Sequence, residues 1–315
     1  MLIQISLIII GFILLIKGAD ILVEGASVIA KKMHISEIVI GLTIVSIGTS
    51  MPEVFVSVTS TMQGYSDMSL GNIIGSNICN LLLVLGISSL IRPVKFQKQT
   101  KWIDNFLSII ITIIFLIICN TNLEIDRIEG CVLITLFSFF LIYTVVIGIK
   151  NKRYEPIVEI IQTKKISIMK NIMLIVLGIV ILKIGGAFVV DNAAEVARCL
   201  NVSEKVISLT IIAIGTSLPE LVTSVIAAVK GDSDIAIGNI VGSNVFNMLL
   251  IVGGAAIINP IEYNLTYNTQ MVTLLIGTVI MSIFPFITPK DEMSRSNGIL
   301  FVILYFIYLM ELILR

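Results

Sequence analysis

Two glutamates, Glu53 and Glu220, each follow a proline inside an apolar stretch: GTSMPE at residues 48–53 and GTSLPE at 215–220. Hydroxyls precede both, Thr49 and Ser50 in the first phrase and Thr216 and Ser217 in the second. Further on, Asn72, Ser76 and Asn80 recur every four residues, as do Asn239, Ser243 and Asn247. On a helix that spacing lays each trio along one face. Carboxylates, hydroxyls and amide oxygens with no histidine or cysteine among them make a hard, all-oxygen donor set. Such a set suits Ca²⁺, which takes about 6 to 8 oxygen ligands, or Na⁺, rather than zinc or copper.

The prolines matter to this chemistry. Pro52 lacks an N–H and its ring clashes with the carbonyl of residue 48, so the helix must kink or break there, freeing carbonyls near Ser46, Ile47 and Gly48. Freed carbonyls in hydrocarbon need partners. One ionised carboxylate at mid-membrane costs roughly 2.5 to 3.5 kcal/mol, so two that face each other demand a cation. A divalent ion neutralises the pair; three monovalent ions leave it with one positive charge.

Bland readings compete for the same residues. A lone kink proline in a membrane helix is usually structural, and it is the duplicated Pro-Glu that argues for a site. Ser76, Asn80 and their mates also fit interhelical hydrogen bonding, and Asn72 and Asn239 fit packing as well as coordination. Asp67 and Asp234 are expected to cap the third and eighth helices, and Ser36 and Ser203 the second and seventh. His34 is expected to be solvated beside Lys32, and Lys17 and Lys183 to snorkel.

The solvent in which all this sits follows from composition. Hydrophobic residues make up 57% of the 315, charged residues 13%, and the mean hydropathy is +1.05; soluble domains are about one quarter charged. Stretches long enough to span a bilayer fall at about 2–29, 36–62, 68–91, 102–119, 128–149, 168–190, 204–229, 235–258, 268–287 and 297–314. The first has no basic n-region or cleavage site and is expected to be a retained helix. The longest polar segment is about 150–167, and no soluble domain is expected. Cys79, Cys119, Cys131 and Cys199 show no CxxC pairing and read as buried thiols. A net charge of zero offers no argument for nucleic-acid binding.

With the N-terminus outside, the inner loops near 30–37, 91–101, 150–170, 230–234 and 288–296 hold 15 of the 21 basic residues. The positive-inside rule then predicts both termini outside the plasma membrane and the 150–170 loop in the cytoplasm.

A shift of 167 residues, the distance from Glu53 to Glu220, superimposes 18–93 on 185–260 without a gap. SEIVIGLTIVSIGTSMPE falls on SEKVISLTIIAIGTSLPE, and GNIIGSNICNLLLVLG on GNIVGSNVFNMLLIVG. Five predicted spans separate equivalent points, an odd number, so equivalent helices must cross in opposite directions. The predicted fold is an all-α polytopic membrane protein of ten transmembrane helices in two inverted-topology five-helix repeats. Its halves are 1–149, with a first repeat at about 36–91, and 168–315, with a second at about 203–258, joined by a cytoplasmic loop at 150–167.

GTSMPE, GTSLPE, GNIIGSNICN and GNIVGSNVFN resemble the duplicated signature of the cation/Ca²⁺ exchanger superfamily, and most closely its prokaryotic sodium/calcium exchangers. The resemblance spans both repeats and the ten-span layout. It implies antiport of about three Na⁺ for one Ca²⁺ by alternating access, with the ions as substrates and no cofactor. It further implies a central Ca²⁺ site of Glu53 and Glu220 with the carbonyls of Thr49 and Thr216. An outer Na⁺ site would use Glu53, Ser76, Ala213, Thr216 and Ser217; an inner one would use Glu220, Ser243, Ser46, Thr49 and Ser50. Ser46 and Ala213 would act through their carbonyls. Asn80 and Asn247 are both amides where some relatives carry an acid, which favours potassium-independent exchange. By the same resemblance the pair of first and sixth spans, with Gly11, Gly18, Gly178, Gly185 and Gly186, would slide over an eight-helix core.

Rival expectations are a Ca²⁺/H⁺ or K⁺-dependent exchanger of the same superfamily and, from another class, a passive cation channel. An intramembrane hydrolase built on Ser50 or Ser217 would need a base; the spans contain no histidine, and the candidate lysines are not near these serines in sequence, so the chain is not expected to be an enzyme. A monomer in the lipid bilayer is compatible with the sequence.

Overall fold

The computed structural model describes residues 2–33, 35–98, 100–150, 167–200, 202, 211, 213–287 and 291–314. The helical segments are α1 (Leu2–Met33), α2 (Glu37–Thr49), α3 (Met51–Met62), α4 (Ser66–Ile91), α5 (Thr100–Thr121) and α6 (Arg127–Lys150). They continue as α7 (Ile168–Cys199), α8 (Ala213–Thr216), α9 (Leu218–Lys230), α10 (Ser233–Ile258), α11 (Tyr267–Ile287) and α12 (Arg295–Leu314). Among the described residues eight helices are long and apolar enough to cross a membrane, nine if α2 and α3 form one bent span. The expected span at 204–229 lies partly outside the described residues.

Burial sorts these helices. The most apolar windows of α4 and α10 are 83% buried, against 22–39% for the other six long helices. Those two carry the asparagine and serine stripes, which lipid cannot satisfy and which therefore turn inward. Around them lies one large apolar core that includes Ile73, Leu81, Phe115, Val245, Leu249 and Phe301. The outward faces are apolar too, with Phe12, Phe106, Phe139 and Phe306 exposed, as a lipid-facing surface requires.

A second apolar cluster seats α1 against α7 through Leu15, Leu22, Ile175 and Leu182. Here the backbones nearly touch: a Cβ on Gly18 would lie 3.0 Å from the Gly178 carbonyl oxygen, and one on Gly11 2.9 Å from that of Gly185. Small residues permit this approach. Residue numbers rise along one helix as they fall along the other, so α1 and its copy α7 run antiparallel. Close approaches of the same kind occur at Gly298, whose Cβ would lie 2.7 Å from Gly86 O, and at Gly130, 2.8 Å from Gly253 O; Gly86 and Gly253 are 167 residues apart.

Among the described residues four two-residue strands interrupt the helical pattern: β1 (Val94–Lys95), β2 (Glu124–Ile125), β3 (Ile261–Glu262) and β4 (Glu292–Met293). They pair antiparallel as β1 with β4 and β2 with β3. Leu123 and Asp291 precede β2 and β4 with φ of 57° and 53°, and their carbonyls accept from the backbone N–H of Tyr263 and Phe96, each at 2.8 Å.

Several local expectations need correction. Asp67 and Asp234 do not cap their helices; Tyr65 and Asp232 occupy the cap positions, without side-chain capping bonds, and each of Asp67 and Asp234 lies in the first turn, where its charge faces the helix dipole instead. Ser36 does occupy a cap position, although its hydroxyl makes no capping bond. Cys79 and Cys119 are buried free thiols, but Cys131 and Cys199 are exposed, because those faces look outward. Ser203, His34 and the loop at 151–166 lie outside the described residues.

Candidate cation-binding site

Each glutamate sits just past a helix break. Ser50 has φ −82° and ψ 11°, α2 and α3 diverge by 51°, and Pro52 falls in the first turn of α3. Ser217, with φ −86° and ψ 5°, separates α8 from α9, and Pro219 falls in the first turn of α9. Proline there forfeits no intrahelical bond. It thereby starts a new helix whose first turn holds Glu53 or Glu220, at the end where peptide dipoles favour negative charge. The break begins later than the sequence implies: the Ser50 N–H still donates to Ser46 O at 3.0 Å, because only the residue-52 donor is missing.

Wide turns flank the site. Residues Gly41–Val45, Cys79–Val84 and Asn247–Ile251 are π-helical, a form found mostly as short bulges and often at functional positions. Asn80 and Asn247 stand at the beginning of two of them.

The two phrases then meet across the molecule. Ser50 Oγ donates to Glu220 Oε1 at 2.8 Å, and Ser76 Oγ and Thr216 Oγ1 are 3.3 Å apart. Thr49 Oγ1 donates to Asn239 Oδ1 at 2.9 Å. Ser76 and Thr216 face the Glu53 carboxyl group, while Thr49 and Ser243 join Ser50 around Glu220. Both glutamates are 0% exposed, and among the described residues neither forms an ion pair. Both oxygens of Glu53, Oε2 of Glu220, the hydroxyls of Ser217 and Ser243, and Oδ1 of Asn80 and Asn247 are buried with no hydrogen-bond partner among the described residues. Buried oxygens without donors are costly, and they are the lone-pair set that a hard cation gathers.

Not every candidate residue projects into this cluster. The Ser46 hydroxyl turns back to Leu42 O and Thr43 O at 2.9 and 3.1 Å, and Ala213 opens α8. Asn72 and Asn239 act as braces: their amide nitrogens donate to Ser57 Oγ and Ser224 Oγ, each at 3.0 Å, and reach the Glu53 and Glu220 carbonyls at 3.5 and 3.4 Å. Sequence reasoning passed over Ser57 and Ser224, and also Asn77 and Asn244, although all four recur at the 167-residue shift. That recurrence was the available signal.

Apolar helices that enclose two buried carboxylates and a ring of neutral oxygens are the parts of a multi-pass membrane transporter for cations. The family description "Sodium/calcium exchanger protein" matches residues 3–146 and 170–314. Inner membrane protein YrbG of Escherichia coli is 31% identical, covering 95% of this chain and 94% of its own. Sodium/calcium exchanger MaX1 of Methanosarcina acetivorans is 29% identical, covering 97% of each. A structure of the sodium-calcium exchanger NCX_Mj, soaked with Na⁺ and Ca²⁺, superimposes with a TM-score of 0.84 at 31% identity over 98% of both chains. The chain belongs to the sodium/calcium exchanger family, a family of Na⁺ and Ca²⁺ antiporters.

Proposed function

We propose that the protein exchanges about three Na⁺ for one Ca²⁺ across the plasma membrane, at one midplane site whose two carboxylates come from two inverted five-helix halves. The observation that carries this reading is the single buried oxygen cluster that holds Glu53 and Glu220 together with hydroxyls from both repeats. Ca²⁺ neutralises the two carboxylates; Na⁺ ions compete for the same oxygens in flanking positions, the outer with Ser76, Thr216, Ser217 and the Ala213 carbonyl, the inner with Ser243, Ser46, Thr49 and Ser50. Asn80 and Asn247 add amide oxygens. Shared ligands make the two loads mutually exclusive, and that exclusion is the coupling.

Reorientation with an ion-free pair of charges would drag two bare carboxylates through a low-dielectric path, so only the loaded forms move. The Na⁺-loaded form carries one more positive charge than the Ca²⁺-loaded form, so the cycle responds to membrane potential. The moving part is the α1–α7 pair, whose two helices meet along a glycine-lined contact. The inverted ten-span arrangement is supported by the antiparallel packing of α1 on its copy α7 and by the duplicated glycine contacts. The strand pairs join connections that the charge bias groups on one side, β1 with β4 on the cytoplasmic face and β2 with β3 on the outer. In this orientation both termini lie outside and the 150–170 loop is cytoplasmic.

The test is uptake of radiolabelled Ca²⁺ into proteoliposomes loaded with Na⁺, with K⁺, or with an imposed pH gradient. Uptake is expected only with internal Na⁺, and to be accelerated by an inside-positive potential. Uptake driven by the pH gradient alone would replace this reading with Ca²⁺/H⁺ exchange, and Ca²⁺ flux indifferent to the trans Na⁺ gradient would replace it with a channel.

A further inference from the structure

We infer that Asn77 and Asn244, which do not themselves face the cations, lock the side-chain amides of Asn247 and Asn80 so that these present oxygen, not N–H, to the site. The inference rests on the proposed two-carboxylate site. Its starting point is a pair of groups whose polarity cannot be reversed, the backbone carbonyls of residues 77 and 244. Asn77 Nδ2 donates to Asn244 O at 3.2 Å, and Asn244 Nδ2 donates to Asn77 O at 3.1 Å. A carbonyl only accepts, so both amides are fixed with nitrogen toward the opposite backbone and oxygen turned away.

Each oxygen so placed accepts from the next asparagine. Asn77 Oδ1 takes Asn247 Nδ2 at 2.9 Å, and Asn244 Oδ1 takes Asn80 Nδ2 at 3.3 Å. The nitrogens of Asn80 and Asn247 are thereby engaged, and their oxygens are left buried with no hydrogen-bond partner among the described residues. All four side chains are at most 5% exposed, so water cannot supply a substitute partner. Asn80 or Asn247 in the opposite orientation would set its oxygen against the oxygen of Asn244 or Asn77, acceptor against acceptor, and point N–H groups at a cation. The network crosses between α4 and α10 at equivalent positions, so one reciprocal pair sets the polarity of both halves of the site. Asn77 and Asn244 are positioning residues: they choose which atom of a neighbour meets the ion.

The experiment is a double-mutant cycle read by equilibrium binding of radiolabelled Ca²⁺ to the purified full chain. Asn77→Leu is expected to weaken Ca²⁺ binding by about 10- to 100-fold, the usual effect of losing a partner that orients a metal ligand. A carboxylate presents oxygen whichever way it turns, so in an Asn247→Asp background the same Asn77→Leu change is expected to alter affinity by less than roughly threefold. Equal effects in the two backgrounds, or an unchanged affinity in Asn77→Leu alone, overturn the proposal, because a packing defect would be indifferent to residue 247. If Asn77→Leu does not fold, the mirrored cycle of Asn244→Leu with Asn80→Asp decides by the same outcomes. Failure of the underlying exchange reading shows separately, as wild-type protein with no Na⁺-displaceable Ca²⁺ binding.

Discussion

Ser50 and Glu220 are 170 residues apart in the chain, and the Ser50 hydroxyl donates to Glu220 Oε1 at 2.8 Å. A hydroxyl from the first phrase thus serves the carboxylate of the second. A hydrogen bond to a charged group contributes about 1.5 to 3 kcal/mol, or roughly 10- to 100-fold in a binding constant. Ser50→Ala is therefore expected to raise the half-saturating Na⁺ concentration for Ca²⁺ efflux by about tenfold or more, along with a modest loss of thermal stability. An unchanged Na⁺ dependence would remove Ser50 from the inner Na⁺ site.

Asn72 and Asn239 are sequence equivalents with unequal duties. Asn239 is 0% exposed and serves Ser224, the Glu220 carbonyl and Thr49; Asn72 is only partly buried and serves Ser57 and the Glu53 carbonyl. Loss of a buried partner costs about 1 to 3 kcal/mol per group left unsatisfied. Asn239→Ala is expected to lower the unfolding temperature in detergent by clearly more than Asn72→Ala. Equal losses would mean that the extra contact to Thr49 contributes nothing.

The α1–α7 seam gives a third expectation. A Cβ on Gly178 would meet Gly18 O at 2.8 Å and Leu22 N at 2.9 Å, both backbone atoms that cannot swing aside. Overpacking of this kind costs about 1 to 3 kcal/mol, and here it falls on the contact assigned to the moving pair rather than on the oxygen cluster. Gly178→Ala should slow Na⁺-driven Ca²⁺ exchange in proteoliposomes while Ca²⁺ binding at equilibrium is preserved. Equal loss of both would place the damage in the folded state as a whole.

How far the sequence could be read depended on whether a feature was written in residue type. Glu53, Glu220, their hydroxyls and the Asn72–Ser76–Asn80 stripe announced themselves because polar residues stand out in hydrocarbon and because each recurs 167 residues later. Asn77 and Asn244 recur equally well, but they sit one residue off the four-residue stripe, so a search for a single polar helix face skipped them. The π-helical turns at Cys79–Val84 and Asn247–Ile251 left no mark, since a wide turn and an α turn accept the same aliphatic residues. They begin at Asn247 and one residue before Asn80, which periodicity cannot reveal. The strand pairs were equally hidden: two residues are too few to show alternation, and Leu123, at φ 57°, occupies a conformation that its side chain does not advertise. The caps at Asp67 and Asp234 were misplaced because an acidic residue near a helix start suits either the cap or the first turn.

The central claim is that Glu53 and Glu220 bind one Ca²⁺ jointly, and equilibrium binding of radiolabelled Ca²⁺ to purified wild type, Glu53→Gln and Glu220→Gln tests it most directly. With both carboxylates fully buried in one oxygen cluster, either single change leaves a divalent ion facing one negative charge in a low-dielectric site. Both variants are therefore expected to lose at least about 100-fold in Ca²⁺ affinity, as loss of a buried charge partner implies. Wild-type Ca²⁺ binding in either variant would contradict the account.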